Sequence, residues 1–182
     1  MSNTVTFKKS KQEFHMSNTV TFTGITMHLE GTLPGVGDKA PDFSLADGEL
    51  KARSLGDYSG RVLVLVCVPS LDTPVCDMEV RRFNKEAAGL SDKVAIIAVS
   101  RDLPFAQARW CGAAGVKAVE TLSDYRDGSF GRAFGVYISE LGLLARCVFI
   151  VKDGVVQYVQ LVPEVTDQPD FDDVLRAVKK LS

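Results

Sequence analysis

The sequence predicts one α/β sandwich domain, a central mixed sheet flanked by helices, and three observations carry that expectation. The runs 62–68 and 94–99 are continuous and β-branched, as in strands buried on both faces of a sheet. Between and after them, apolar residues recur at helical spacing, and Asp153-Gly154 joins two later apolar runs as a tight hairpin turn. Size and composition agree: 182 residues, 46% hydrophobic, 24% charged and a formal charge of -2 describe one globular domain. A chain of this length buries roughly 70% of its unfolded surface, so it needs neither disulfide staples nor a structural metal. Its balanced charge argues against nucleic acid and against a polybasic membrane contact. The longest apolar run, 62–69, is far shorter than the roughly 20 residues of a membrane helix.

The elements follow in order. Met1-Ser-Asn-Thr-Val-Thr-Phe7 recurs unchanged as Met16-Ser-Asn-Thr-Val-Thr-Phe22, too exact and too short for a repeat architecture. The joining stretch ends Glu13-Phe14-His15-Met16, which adjacent GAATTC and CATATG sites encode. Residues 1–15 therefore read as a cloning scar and Met16 as the natural start, leaving a single domain over 16–182. No charged, apolar-cored signal follows Met16, which points to the cytoplasm. Alternation of Val20, Phe22, Ile25, Met27 and Leu29 about Thr23-Gly24 predicts an N-terminal β-hairpin. A Gly/Pro-rich connection over 31–41 leads to a short strand at 43–45, and its Gly35-x-Gly37 reads as turn chemistry.

After the strand at 62–68, Val80, Phe83, Ala87 and Leu90 mark a helix that stops near Gly89. A second helix is expected over 104–112, opened by Asp102, then a short segment 119–122 and a helix near 129–134. Strands at 147–151 and 155–161 and an amphipathic helix carrying Phe171, Val174, Leu175, Val178 and Leu181 complete the chain. Hairpin, βαβα, a further helix and ββα is the thioredoxin-like order. Fold alone assigns no chemistry.

The four cysteines stand at 67, 76, 111 and 147, so the chain has no C-x-x-C pair and no zinc knuckle, and no metal or other cofactor is expected. Only two histidines are present, one of them in the scar, so a Cys-His or Ser-His design is excluded. Any nucleophile needs another activator. Cys76 falls in the first turn of its helix, after Pro69-Ser-Leu-Asp-Thr-Pro-Val, where Asp72 or Thr73 can cap and Pro74 suits the first position. Backbone N–H groups and the helix dipole favour a thiolate there. Cys76 shares a stripe with Val80, Phe83 and Ala87, so its sulfur faces inward. A thiol of pKa about 8.5 is only roughly 3% thiolate at pH 7, and bringing it to about 6 takes about 3.4 kcal/mol. A helix terminus supplies at most about 2 kcal/mol, so a cation is needed as well. Arg146, opening the strand at 147–151, is the best candidate, although a strand-end arginine read on physics alone is a solvated charge.

These residues carry a resemblance. Pro69-x-x-x-Thr73-x-x-Cys76 resembles the active-site motif of the peroxiredoxins. With Ser100-Arg-Asp-Leu-Pro-Phe-Ala-Gln-Ala-Arg-Trp-Cys111-Gly, the chain is similar to their bacterial, atypical two-cysteine branch over essentially all of 16–182. The resemblance implies that Cys76 is the peroxidatic cysteine, attacking hydrogen peroxide or an alkyl hydroperoxide to give a sulfenic acid. It implies that Thr73 bonds sulfur and peroxide, that Pro69 shields the site, and that Arg146 stabilises the thiolate and the breaking O–O bond. Cys111 matches the resolving cysteine, which would form an intramolecular disulfide with Cys76 after local unwinding of both helices. Thioredoxin or a similar dithiol protein would reduce that disulfide, and the protein would be an antioxidant homodimer.

Beside these stand plainer readings. A lone cysteine near a helix start is more often packing, and the two motifs outweigh that for Cys76. Cys67 and Cys147, within apolar strands, read as core. His28 reads as a surface residue, Arg82 and Arg109 as solvated helix charges, Trp110 as packing that can report redox change, and Asp72 as a cap. The alternative function is a peroxide-sensing binding protein that uses the same cysteines. A thioredoxin-type reductase is disfavoured by the missing C-x-x-C.

Overall fold

The computed structural model describes residues 18–182, so the proposed scar at 1–15 and the start at Met16 lie outside the described residues. The hairpin forms as expected from β1 (Thr19–Phe22) and β2 (Ile25–Glu30), with Thr23 and Gly24 at positive φ in its turn. Then follow β3 (Leu45–Ala46), β4 (Ala52–Arg53), a 3-10 turn at Leu55–Tyr58, β5 (Val62–Cys67), α1 (Pro74–Ala87), β6 (Val94–Ser100), α2 (Pro104–Ala114) and β7 (Val119–Ser123). The chain closes with α3 (Ser129–Ala133), β8 (Tyr137–Ile138), β9 (Leu143–Leu144), β10 (Cys147–Lys152), β11 (Val155–Leu161) and α4 (Phe171–Leu181).

Seven strands form the central sheet in the order β11-β10-β5-β6-β7-β3-β4, and β1-β2-β8-β9 form a smaller second sheet. The central sheet is mixed: β5, β6 and β7 run parallel through the helical crossovers α1 and α2, while β10 is antiparallel to β5 and β11 antiparallel to β10. Both faces of β5 are apolar, yet the period of two still sorts them. Leu63, Leu65 and Cys67 join one core with the hairpin and α3, whereas Val62, Val64 and Val66 join a second with α1, α2 and α4. No helix among the described residues is long and apolar enough to cross a membrane.

Several boundaries shift by a residue or two from expectation, and three differences have a visible cause. The short strand sits at Leu45–Ala46, because Phe43 is drawn into an aromatic cluster with Phe130 and Phe134. The second helix continues through Gly112 to Ala114 and stops at Gly115, whose φ of 67° is the left-handed conformation glycine adopts freely. Asp102 does not cap that helix. The N-cap is Leu103, and the Asp102 carboxylate instead accepts from Ser70 Oγ, Leu71 N and Ser100 Oγ.

Candidate active site

The site lies past the carboxyl end of β5, where open α/β sheets place their ligands. Two features of the sheet bring its parts together. The chain leaves β5 through Pro69, which is buried, and turns at residues 70–73 into α1, where Pro74 takes the first helical position without leaving an N–H unpaired. Antiparallel pairing sets Cys147 opposite Cys67, so Arg146, one residue before β10, stands beside that same exit.

Cys76 is fully buried, its stripe packed with Val80 and Phe83 against the sheet as the spacing predicts. Arg146 is 1% exposed, which excludes the solvated reading. Each nitrogen of its guanidinium has a partner: Nη2 donates to Cys76 Sγ at 3.3 Å, Nε donates to the Val165 carbonyl at 3.0 Å, and Nη1 donates to Glu79 Oε2. A planar fork held at three points cannot drift from the sulfur. Thr73 occupies the N-cap position, but its side chain does not cap. Its hydroxyl donates to the Ser70 carbonyl at 2.9 Å, which leaves the oxygen lone pairs of this exposed residue, three positions before Cys76, free to accept. Asp72, expected as a cap, is exposed and meets Arg109 at 3.5 Å.

Glu79 is the residue the sequence reading missed. It lies one helical turn beyond Cys76, fully buried, and burial pushes its carboxyl up to about 7 against the opposing pull of Arg146. Its Oε1 has no hydrogen-bond partner. A carboxylate within an otherwise apolar stripe was the available signal, because such a group needs a buried cation. Gln168, which donates to the Val75 carbonyl at 2.9 Å, ties the loop after β11 to the Cys76 turn and left no mark in the sequence.

Cys111 lies on α2 at the edge of the same core as Cys76, partly buried, its sulfur 3.5 Å from Thr121 Oγ1. Neither cysteine is in a disulfide. Burial pushes the Cys67 and Cys147 thiols well up, as befits core residues. His28 is exposed at the hairpin and meets Glu140 at 2.6 Å.

A thioredoxin-like sheet presenting a buried cysteine to a clamped arginine, with no histidine beside it among the described residues, defines a redoxin-type thiol centre. The Redoxin family model matches residues 35–175. The thiol peroxidase of Bacillus subtilis is 52% identical over 163 residues, 89% of this chain and 97% of the relative. That of Staphylococcus aureus strain Mu50 is 47% identical, over 89% of this chain and 98% of its own. Among solved structures, a peroxiredoxin-like protein from Aquifex aeolicus superposes with a TM-score of 0.86 at 42% identity, covering 92% of this chain and 99% of that one. The chain belongs to the Redoxin family, in its thiol peroxidase branch.

Proposed function

We propose that this chain is a thiol-dependent peroxidase that reduces hydrogen peroxide and alkyl hydroperoxides at Cys76, with Cys111 as resolving cysteine. The observation that carries the reading is the Arg146 Nη2 contact to Cys76 Sγ at 3.3 Å between two buried side chains. A guanidinium there favours the anionic sulfur and needs no histidine base.

A hydroperoxide entering past Thr73 meets the sulfur in line. The Cys76 thiolate attacks the terminal oxygen, the S–O bond forms as the O–O bond breaks, and the leaving oxygen takes a proton to depart as water or an alcohol. Arg146 faces the charge that spreads over the breaking bond, and Thr73, its proton committed to Ser70, accepts from the peroxide OH. Pro69, buried at the strand exit, keeps bulk water from the sulfur. Cys111 then attacks the Cys76 sulfenic acid. The S–S bond forms, the S–O bond breaks, and the thiol proton leaves in water. A dithiol protein of the thioredoxin type reopens the disulfide by exchange, in the cytoplasm, where such a bond is transient. A homodimer is supported by Leu103 and Phe105, 54% and 63% exposed at the start of α2, apolar surface of the kind a second copy covers.

The test is peroxide consumption coupled to thioredoxin, thioredoxin reductase and NADPH. Multiple turnover lost in Cys76→Ser is expected, and full turnover by that variant would sink the reading. Peptide mapping after one equivalent of peroxide should join Cys76 to Cys111. A Cys76–Cys147 link would displace Cys111 from its role.

A further inference from the structure

The two helices that carry Cys76 and Cys111 are fastened together one residue from each sulfur. Trp110 Nε1 donates to Asp77 Oδ1 at 2.9 Å, joining the residue after Cys76 to the residue before Cys111. Asp77 also receives Arg81 Nε on both oxygens at 2.9 Å, and Arg81 Nη1 donates to the Ala114 carbonyl at 3.0 Å, at the carboxyl end of α2. Arg81 lies over the Trp110 ring, 5.8 Å from its centroid. Asp77, Arg81, Trp110 and Ala114 thus close a ring of contacts around the end of α2.

Successive side chains on a helix point about 100° apart. With Asp77 and Trp110 turned toward each other, their neighbouring sulfurs hold separate partners, Cys76 with Arg146 and Cys111 with Thr121. A disulfide requires the two Cα atoms within about 7 Å and both Cβ vectors convergent. Turning the two sulfurs toward each other carries Asp77 and Trp110 off each other. The amino-terminal half of α2 is fixed independently: buried Gln107 donates to Ser100 Oγ and the Leu122 carbonyl, each at 2.9 Å, and Asp102 holds Ser70 and Leu71. Unwinding around Cys111 is therefore opposed at the carboxyl-terminal half of α2, by the Trp110 bond beside the sulfur and, beyond the helix, by Asn84 Oδ1, which accepts from Lys117 N and Ala118 N.

We propose that the Asp77–Trp110 bond is a clasp that sets the rate of disulfide formation, with Trp110 a positioning residue for the resolving step. The inference rests on the peroxidase reading and adds a kinetic consequence. While the clasp holds, the sulfenic acid persists and a second hydroperoxide can oxidise it to the sulfinic acid, releasing a second water or alcohol. When the clasp opens, Cys111 reaches the sulfenic sulfur and the disulfide forms with loss of water.

The experiment is rapid-quench mass spectrometry of the full chain with hydrogen peroxide, separating the second-order oxidation of Cys76 from the first-order formation of the disulfide. Trp110→Phe keeps the ring and removes the donor, and Asp77→Leu removes the acceptor. Asp77→Asn retains the acceptor oxygen. Oxidation of Cys76 in Trp110→Phe is expected within about twofold of the parent, with disulfide formation faster by about tenfold in Trp110→Phe and Asp77→Leu and restored to near the parent rate in Asp77→Asn. The peroxide concentration that yields sulfinic acid should rise by the same factor. Trp110 is the only tryptophan in the chain, so the parent's fluorescence change should fall in the peroxide-independent phase. Disulfide formation unchanged or slowed in Trp110→Phe, with Cys76 oxidation intact, overturns the clasp alone. A parent chain whose Cys76 does not react with peroxide overturns the peroxidase reading and the clasp with it.

Discussion

Arg146 holds the site together and, on the proposed mechanism, drives its chemistry, and one pair of variants separates the two roles. At 3.3 Å from Cys76 Sγ, a unit charge in a medium of effective dielectric about 20 gains about 5 kcal/mol from an anionic sulfur. Glu79, on the other side of the same guanidinium, offsets part of it. A net effect of about 3 to 4 kcal/mol corresponds to a factor of about 10² to 10³ in the rate of Cys76 oxidation. Arg146→Met should lose that factor. It should also lose about 3 to 5 kcal/mol of stability, because the fully buried Glu79 is left without its cation. That second loss should be smaller at pH 5 than at pH 8, since Glu79 already titrates at about 7 and takes a proton when unpaired. Adding Glu79→Leu replaces the whole pair with apolar groups and should return most of the stability while leaving the rate low. Stopped-flow competition for hydrogen peroxide measures the rate, and urea unfolding measures the stability. If the Arg146→Met/Glu79→Leu protein reduces peroxide within about tenfold of the parent, Arg146 is structural only and the mechanism falls.

Burial raises the Glu79 carboxyl from 4.5 to about 7, so folding takes up a proton between those values, and the opposition to folding is absent below 4.5 and complete above 7. Glu79→Gln should therefore gain stability on the parent as pH rises through that window, by an amount on the order of 3 kcal/mol, and parallel urea midpoints across it would contradict the assignment. Glu164 is the opposite case: bonds from Thr166, Gly24 and Thr21 hold its carboxyl down to about 2, so its fastening of the hairpin is complete above 4.5 and lost as pH falls through about 2. The protection factors of the Thr23 and Gly24 amides, taken against the intrinsic rate at each pH, should drop over that fall, and in Glu164→Gln already at neutral pH. Thr73→Ser should keep most of the peroxidase rate and Thr73→Val should lose about tenfold or more, because only serine preserves the hydroxyl directed by Ser70; equal rates for the two would remove Thr73 from the mechanism.

Much of the sheet was legible because β5, β6 and β10 are unbroken apolar runs between turn signals, and β11 matches its expected span of 155–161. What escaped was pairing at a distance. Tyr137–Ile138 and Leu143–Leu144 are two-residue strands with no period of their own, and they form only because the hairpin offers β2 as an edge. Asp102 illustrates the same limit at the side-chain level. Next to an apolar helix an aspartate reads as a cap, yet its carboxylate reaches the loop before α1, a partner 31 residues earlier that local rules do not name. Cys76 was legible because everything that marks it, the proline, the cap position and the apolar stripe, lies within one turn of strand and helix. Arg146 was not, on physics alone, because its burial depends on three partners drawn from α1 and from the loop after β11.

Glu79 explains how that burial is compatible with function. A guanidinium sealed beside a neutral thiol would be costly to bury, and one paired to a fully ionised carboxylate would have its charge largely neutralised before the sulfur could use it. The carboxyl here stands between these limits. Burial pushes the Glu79 carboxyl up to about 7 against the pull of Arg146, which weakens its negative charge, while its Oε2 accepts from Nη1 and fixes the fork. The guanidinium is thereby held in place by a partner that offsets less of its charge toward Cys76 than a carboxylate of ordinary acidity would. Among the described residues the partner of the Cys76 sulfur is therefore a fixed guanidinium and not an imidazole, and the carboxyl that fixes it is itself fully buried.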